Sequence, residues 1–116
     1  MARLPNAENA IIAREKIVSY LLSFDHPQGR GKAAFFSSFG FTLSRWYDLK
    51  SALLDQAGSC EVRQTVDNVF GRKYTIEGPL KAPYGRLPVV RSIWFIAKAS
   101  DAPVFVTAFP GKDAHD

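Results

Sequence analysis

The feature that most constrains this chain is a change of hydrophobic period near Gly58. Before it, apolar residues recur at three- and four-residue spacing. After it they fall in short β-branched and aromatic runs separated by Gly and Pro. The two periods, 3.6 and 2, belong to helices and strands and do not interchange. The expected fold is therefore α+β, with three N-terminal helices packed on a C-terminal antiparallel sheet of about four strands. The 116 residues suit a single domain, with an ordered core over about 10–110 and short polar tails.

In the first half, Ile17, Tyr20, Leu21 and Phe24 form one stripe, predicting a helix from Arg14 to Phe24 that ends at Asp25-His26-Pro27. A loop, Gln28 to Gly31, leads to a short helix over Lys32 to Phe39, with Gly40 as its C′ residue. Thr42 or Ser44 can cap a third helix, striped by Trp46, Leu49, Leu53 and Ala57 and stopped by Gly58. In the second half, Val62 to Phe70 and Lys73 to Glu77 read as a hairpin turning near Gly71. Val89 to Ala97 reads as a central strand and Val104 to Phe109 as the last. Strands joined by short turns pair antiparallel.

One cysteine, Cys60, excludes an intrachain disulfide and fits a reducing, cytoplasmic setting. No run approaches the roughly 20 apolar residues of a membrane span, and Met1 to Asn9 does not read as a signal peptide. Nucleotide-binding glycine loops, serine-hydrolase elbows, zinc spacings and dense carboxylate clusters are all missing from the sequence. No metal or cofactor is therefore implied.

The net charge of +4 is unevenly spread. Between Asp67 and Asp101, six bases (Arg72, Lys73, Lys81, Arg86, Arg91, Lys98) face the one acid Glu77, a local +5. Such a window is either a basic face for RNA, DNA or phosphate, or a solvated sheet surface.

Metal-free RNA cleavage needs a base for the 2′-hydroxyl, an acid for the leaving oxygen and cations for the charged phosphorus centre. Only His26 and His115 are histidines, and His115 sits in the tail. His26 is either an exposed loop residue without a role, and so dispensable for stability, or a proton-transfer group. Arg30 and Lys32 flank Gly31 before a helix, where they make either a phosphate site or a solvated loop. Tyr74, between basic residues, is either a base-stacking ring or a core residue sharing a face with Ile76. Thr107 shares a face with Phe105 and Phe109, as a strand former or a phosphate ligand.

Three stretches carry a resemblance: KIVSYLLSFDHPQGRGKAAFF (16–36), GRKYTIEGPLKAPYGR (71–86) and IWFIAKASDAPVFVTAFP (93–110). With them the chain resembles an uncharacterised bacterial domain family found alone and at the C-termini of adhesin-like or polymorphic toxins. The helices-then-sheet order and the closing VTAFP are also similar to ribonuclease toxins of the barnase–EndoU–colicin–RelE superfamily. That likeness implicates Thr107 with His26 or Lys32, plus Arg86.

The expectation is a metal-independent endoribonuclease. His26 would be the general acid/base, Lys32 and Arg86 would hold phosphate, and Thr107 would bond a non-bridging oxygen. Arg30, Lys73, Tyr74 and Arg91 would contact nucleic acid. RNA and a neutralising protein would be its partners. The competing expectation is a non-enzymatic module binding an acidic protein or nucleic acid through a basic sheet face.

Overall fold

A computed structural model describes residues 2–111. His115 and the tail from Lys112 fall outside the described residues. Apart from short 3-10 turns at Ala7–Asn9 and Pro83–Gly85, the described residues run through three helices and then four strands. We label the helices α1 (an α turn, Arg14–Lys16, continued by a π turn, Ile17–Leu21), α2 (Arg30–Ser38) and α3 (Trp46–Ser59). The strands are β1 (Val62–Asn68), β2 (Gly71–Pro79), β3 (Val89–Ala97) and β4 (Val104–Pro110). They form an antiparallel meander in the order β1-β2-β3-β4. This is the expected α+β arrangement. No described helix is long and apolar enough to cross a membrane.

One sheet face meets the helices. Tyr74, Ile76, Val90, Trp94, Phe105 and Ala108 join Ile17, Leu21, Phe36, Leu49 and Leu53 in one buried cluster. Gln56 ties α3 to this face. Its amide nitrogen donates to the carbonyls of Gly78 (3.0 Å) and Val90 (2.8 Å), and its oxygen accepts from Ser92 Oγ (2.7 Å). Ser92 Oγ in turn accepts from the Trp94 indole at 3.0 Å. A buried amide is tolerated only when it is paired in this way.

The second helix ends on a Schellman motif. The N–H of Gly40 donates to Ser37 O and that of Phe41 to Phe36 O, while the rings of Phe36 and Phe41 meet edge to face. Gly40 has φ +98°, the left-handed geometry that a C′ glycine supplies.

Four details depart from the sequence reading. The first helix leaves its axis at Leu22, after an i→i+5 bond from Leu22 N–H to Ile17 O, so Phe24 is 58% exposed instead of continuing the stripe. The last turn of α3 includes Gly58 and runs to Ser59. The core reaches back to Leu4, only 3% exposed, because Ala2 and Arg3 pair beside β1 and Ile11 pairs with β4. Finally, β4 carries a bulge: Ile93 pairs with Thr107 but Trp94 with Phe105. Val106 is the extra residue, so Phe105 and Ala108 are both buried and Thr107 no longer shares a face with Phe105.

Candidate functional site

The bulge lies at the sheet edge, where Ile11 covers only the start of β4. Ile11 donates to Pro103 O and accepts from Phe105 N–H. Beyond that point an open cleft of about 580 Å³ separates β4 from α1, with Glu15, Lys16, Tyr20, His26 and Thr107 among its walls. Tyr20 stands at its centre. Its hydroxyl lies 2.9 Å from Thr107 Oγ1. The ammonium groups of Lys32 and Lys16 lie 5.5 and 5.6 Å from its ring centre, within cation–π range. The His26 ring meets it edge-on at 5.0 Å.

The local sequence builds this arrangement. Lys16 and Tyr20 are four apart on α1, so they share one side of the helix. Ile17 and Leu21 point the other way and anchor the helix in the core. The chain then doubles back, and Gly29 packs on α1. A Cβ at position 29 would stand 2.2 Å from the Tyr20 carbonyl oxygen, so only glycine permits this approach. That approach sets α2 beside Tyr20 and brings Lys32 over its ring.

His26 is fixed by its backbone surroundings. Its Nδ1 accepts from the N–H groups of Gln28 (3.0 Å) and Gly29 (3.1 Å), and its carbonyl accepts from Arg30 N–H. Two donors facing Nδ1 assign the proton of the neutral ring to Nε2. In this arrangement Nε2–H is a hydrogen-bond donor. His26 also closes the turn that opens α2, so it is not the free loop residue that its neighbours in sequence suggest.

Three of the expected catalytic residues, His26, Lys32 and Thr107, thus gather around Tyr20. Arg86 does not join them. It sits at the other end of α2, its guanidinium 4.7 Å from the Phe39 ring centre and within 3.5 Å of Ser38 O. A cation there meets the carbonyl end of a helix, which is a structural reason for its position. Tyr74 is 8% exposed within the core cluster, so its ring has no open face for a base. Arg30 is exposed at the first position of α2, and Lys73 is exposed on the sheet face away from the helices. On that same face Arg91 is half-buried, with Nη2 3.3 Å from Glu77 Oε1.

The basic window does not form one surface. Arg72 pairs with Asp67, Lys81 with Asp55 and Arg91 with Glu77, each in a different part of the fold. The Arg72 guanidinium holds the Asp67 carboxyl below its ordinary range, chiefly by a side-chain hydrogen bond. Among the described residues no three His, Cys, Asp or Glu side chains gather as a metal-binding group. Cys60 is half-buried at the end of α3.

The sequence places Tyr20 in the apolar stripe of the first helix, and its ring does pack against the core while its hydroxyl reaches the cleft. The stripe alone does not mark Tyr20, Lys16 or Glu15 as site residues; the only signal is the Lys16–Tyr20 spacing.

Comparison with solved structures finds the same fold in a contact-dependent growth inhibition toxin – immunity protein complex from Klebsiella pneumoniae 342. One of its chains superposes with a TM-score of 0.68 at 15% identity, covering 91% of this chain and 97% of that one. No curated protein matches the sequence. The model of one family, described as a domain of unknown function (DUF6883), matches residues 3–112, and the chain belongs to that family.

Proposed function

We propose that the chain is a toxin-type endoribonuclease that works without a metal and is held in check by a neutralising protein. The observation that carries this reading is the convergence of His26, Lys32 and Thr107 on Tyr20 at an open cleft. The shared fold with a chain of a toxin–immunity complex supports it.

In this reading the scissile phosphate sits in the cleft, close to Lys16, Lys32 and the Nε2–H of His26, which together offset the charge that builds on its oxygens. Glu15, the carboxylate of the cleft wall, takes the 2′-hydroxyl proton as O2′ attacks phosphorus. The bond to the 5′-oxygen breaks, and Tyr20 protonates that oxygen. The negative charge left on Tyr20 then lies near two ammonium groups. Thr107 orients the phenol through the 2.9 Å bond. The products are a 2′,3′-cyclic phosphate and a 5′-hydroxyl end.

The test is incubation of the purified chain with total RNA in a chelator, with end-group analysis, alongside induced expression in bacteria. Cleavage with cyclic-phosphate ends and growth arrest are expected. Intact RNA and normal growth would overturn the enzyme reading.

A second reading, a non-catalytic interaction module, draws on a different observation. The two residues at the β1–β2 turn, Val69 and Phe70, are 75% and 73% exposed, and β1 is an edge strand covered only at its start by Ala2 and Arg3. Apolar tips and open edges of this kind suit protein contact.

A further inference from the structure

We propose that Tyr84 is a stacking platform for an unpaired RNA base, one length of α2 away from the cleft. The inference rests on the reading of the chain as an RNA-cleaving module.

Tyr84 is 92% exposed, the most exposed of the large apolar and aromatic side chains in the described chain. It also adopts φ +62°, ψ +27°, a left-handed conformation rare for a bulky aromatic residue. Such a backbone persists only where its surroundings over-determine it, and such places cluster at ligand contacts. The loop is pinned on both stems, by Leu80 N–H to Pro88 O and by Ala82 N–H to Arg86 O, each 2.9 Å. Gly40 supports it from below. A Cβ at that position would stand 3.2 Å from Pro83 Cβ and 3.3 Å from the Tyr84 ring. The fold thus holds a large aromatic side chain out into solvent, although burying it would gain apolar contact.

Hollows open beside the ring on two sides. One of about 710 Å³ lies toward the first turns of α3, where Arg45 pairs with Asp48 and Lys81 with Asp55, so its rim is charge-balanced. The other, about 450 Å³, is bordered by Phe39, Arg86 and Leu87. An exposed aromatic ring with open space beside it, and the Arg86 guanidinium bordering the acid-free hollow, is the kind of platform on which the bases of a single strand stack without a sequence being read. A projecting ring reaches only bases that are already unstacked, so the ligand is single-stranded. From Lys32 to Gly40 the helix rises by about 12 Å. A strand with its scissile phosphate in the cleft can therefore run along α2 and set a neighbouring base on Tyr84.

The test is fluorescence anisotropy at low salt with a labelled, 2′-O-methylated oligoadenylate, which cannot be cleaved through its 2′ position. Tyr84→Ala is expected to weaken binding by roughly 5- to 150-fold, the loss of one stacked base. Tyr84→Phe should bind as the parent does. Tyr84→Gly should bind as weakly as the alanine variant while melting no lower than the parent, because glycine relieves the positive φ. A matched duplex should bind all four proteins alike.

Equal binding by Tyr84→Ala and the parent would overturn the platform and leave the ring to a protein contact. A parent that does not bind the oligomer at all would overturn it as well. If the parent binds through Tyr84 but leaves RNA intact, the platform stands and the nuclease reading falls. If RNA is cleaved while Tyr84→Ala binds normally, the reverse holds.

Discussion

The Tyr20 hydroxyl lies 2.9 Å from Oγ1 of Thr107, a hydrogen bond across 87 positions of the chain. It joins the first helix to the last strand at the point where the β4 bulge leaves the sheet edge open. If this pair transfers a proton, Tyr20→Phe should lower RNA cleavage by about 10²- to 10⁴-fold. The loss of one half-buried hydrogen bond should cost stability only about 1 kcal/mol. Thr107→Val should give a smaller loss, since the phenol remains. Single-turnover cleavage with a melting curve on each variant measures both. Full activity in Tyr20→Phe would remove the phenol from the chemistry.

His26 separates two roles that one substitution would confuse. His26→Ala removes the acceptor of two backbone N–H groups and should lower stability by about 1 kcal/mol, a few degrees in Tm. This differs from the neutral effect expected of an exposed loop residue. His26→Asn can restore an acceptor to the turn but supplies no imidazole Nε2–H. It should melt near the parent and still cleave poorly. An asparagine variant that recovers both would make His26 purely a turn residue.

Gln56 anchors α3 to the sheet with no tie to the cleft. In Gln56→Leu the carbonyls of Gly78 and Val90 and the Ser92 hydroxyl each lose a buried partner. The expected cost is about 2–4 kcal/mol, read from the urea midpoint. A midpoint unchanged from the parent would mean that these groups find other partners.

The Asp67–Arg72 pair supplies a pH signature. The carboxyl titrates below its ordinary value in the folded chain, so its contribution is full above about pH 4, the unfolded range. It is lost as pH falls through the lowered folded value. Asp67→Asn should therefore melt slightly below the parent at pH 7, and the gap should close in strong acid. Both partners are exposed, so the effect is small. A gap that widens on acidification would contradict the assignment.

The sequence by itself determined what depends on neighbours a few residues away. The change of period near Gly58 placed three helices ahead of four strands, and the spacing of Phe36, Gly40 and Phe41 encoded a helix stop that the structure completes as a Schellman motif. Val89 to Ala97 was legible as an inner strand from its apolar run, and it pairs with β2 on one side and β4 on the other. Tertiary structure decided everything that depends on distant partners. The π turn ends α1 early and releases Phe24; the hydroxyl of Thr107, next to the bulge at Val106, meets that of Tyr20; and Gly29 lets α2 close on α1. Tyr74 went into the core and Tyr84 to the surface, although both are tyrosines close to basic residues. Local pattern says which face of an element is apolar, but not which other element will cover it. That choice rests on the packing of the whole chain, and it assembled Lys16, Tyr20, His26, Lys32 and Thr107 while leaving Arg86 at the far end of α2.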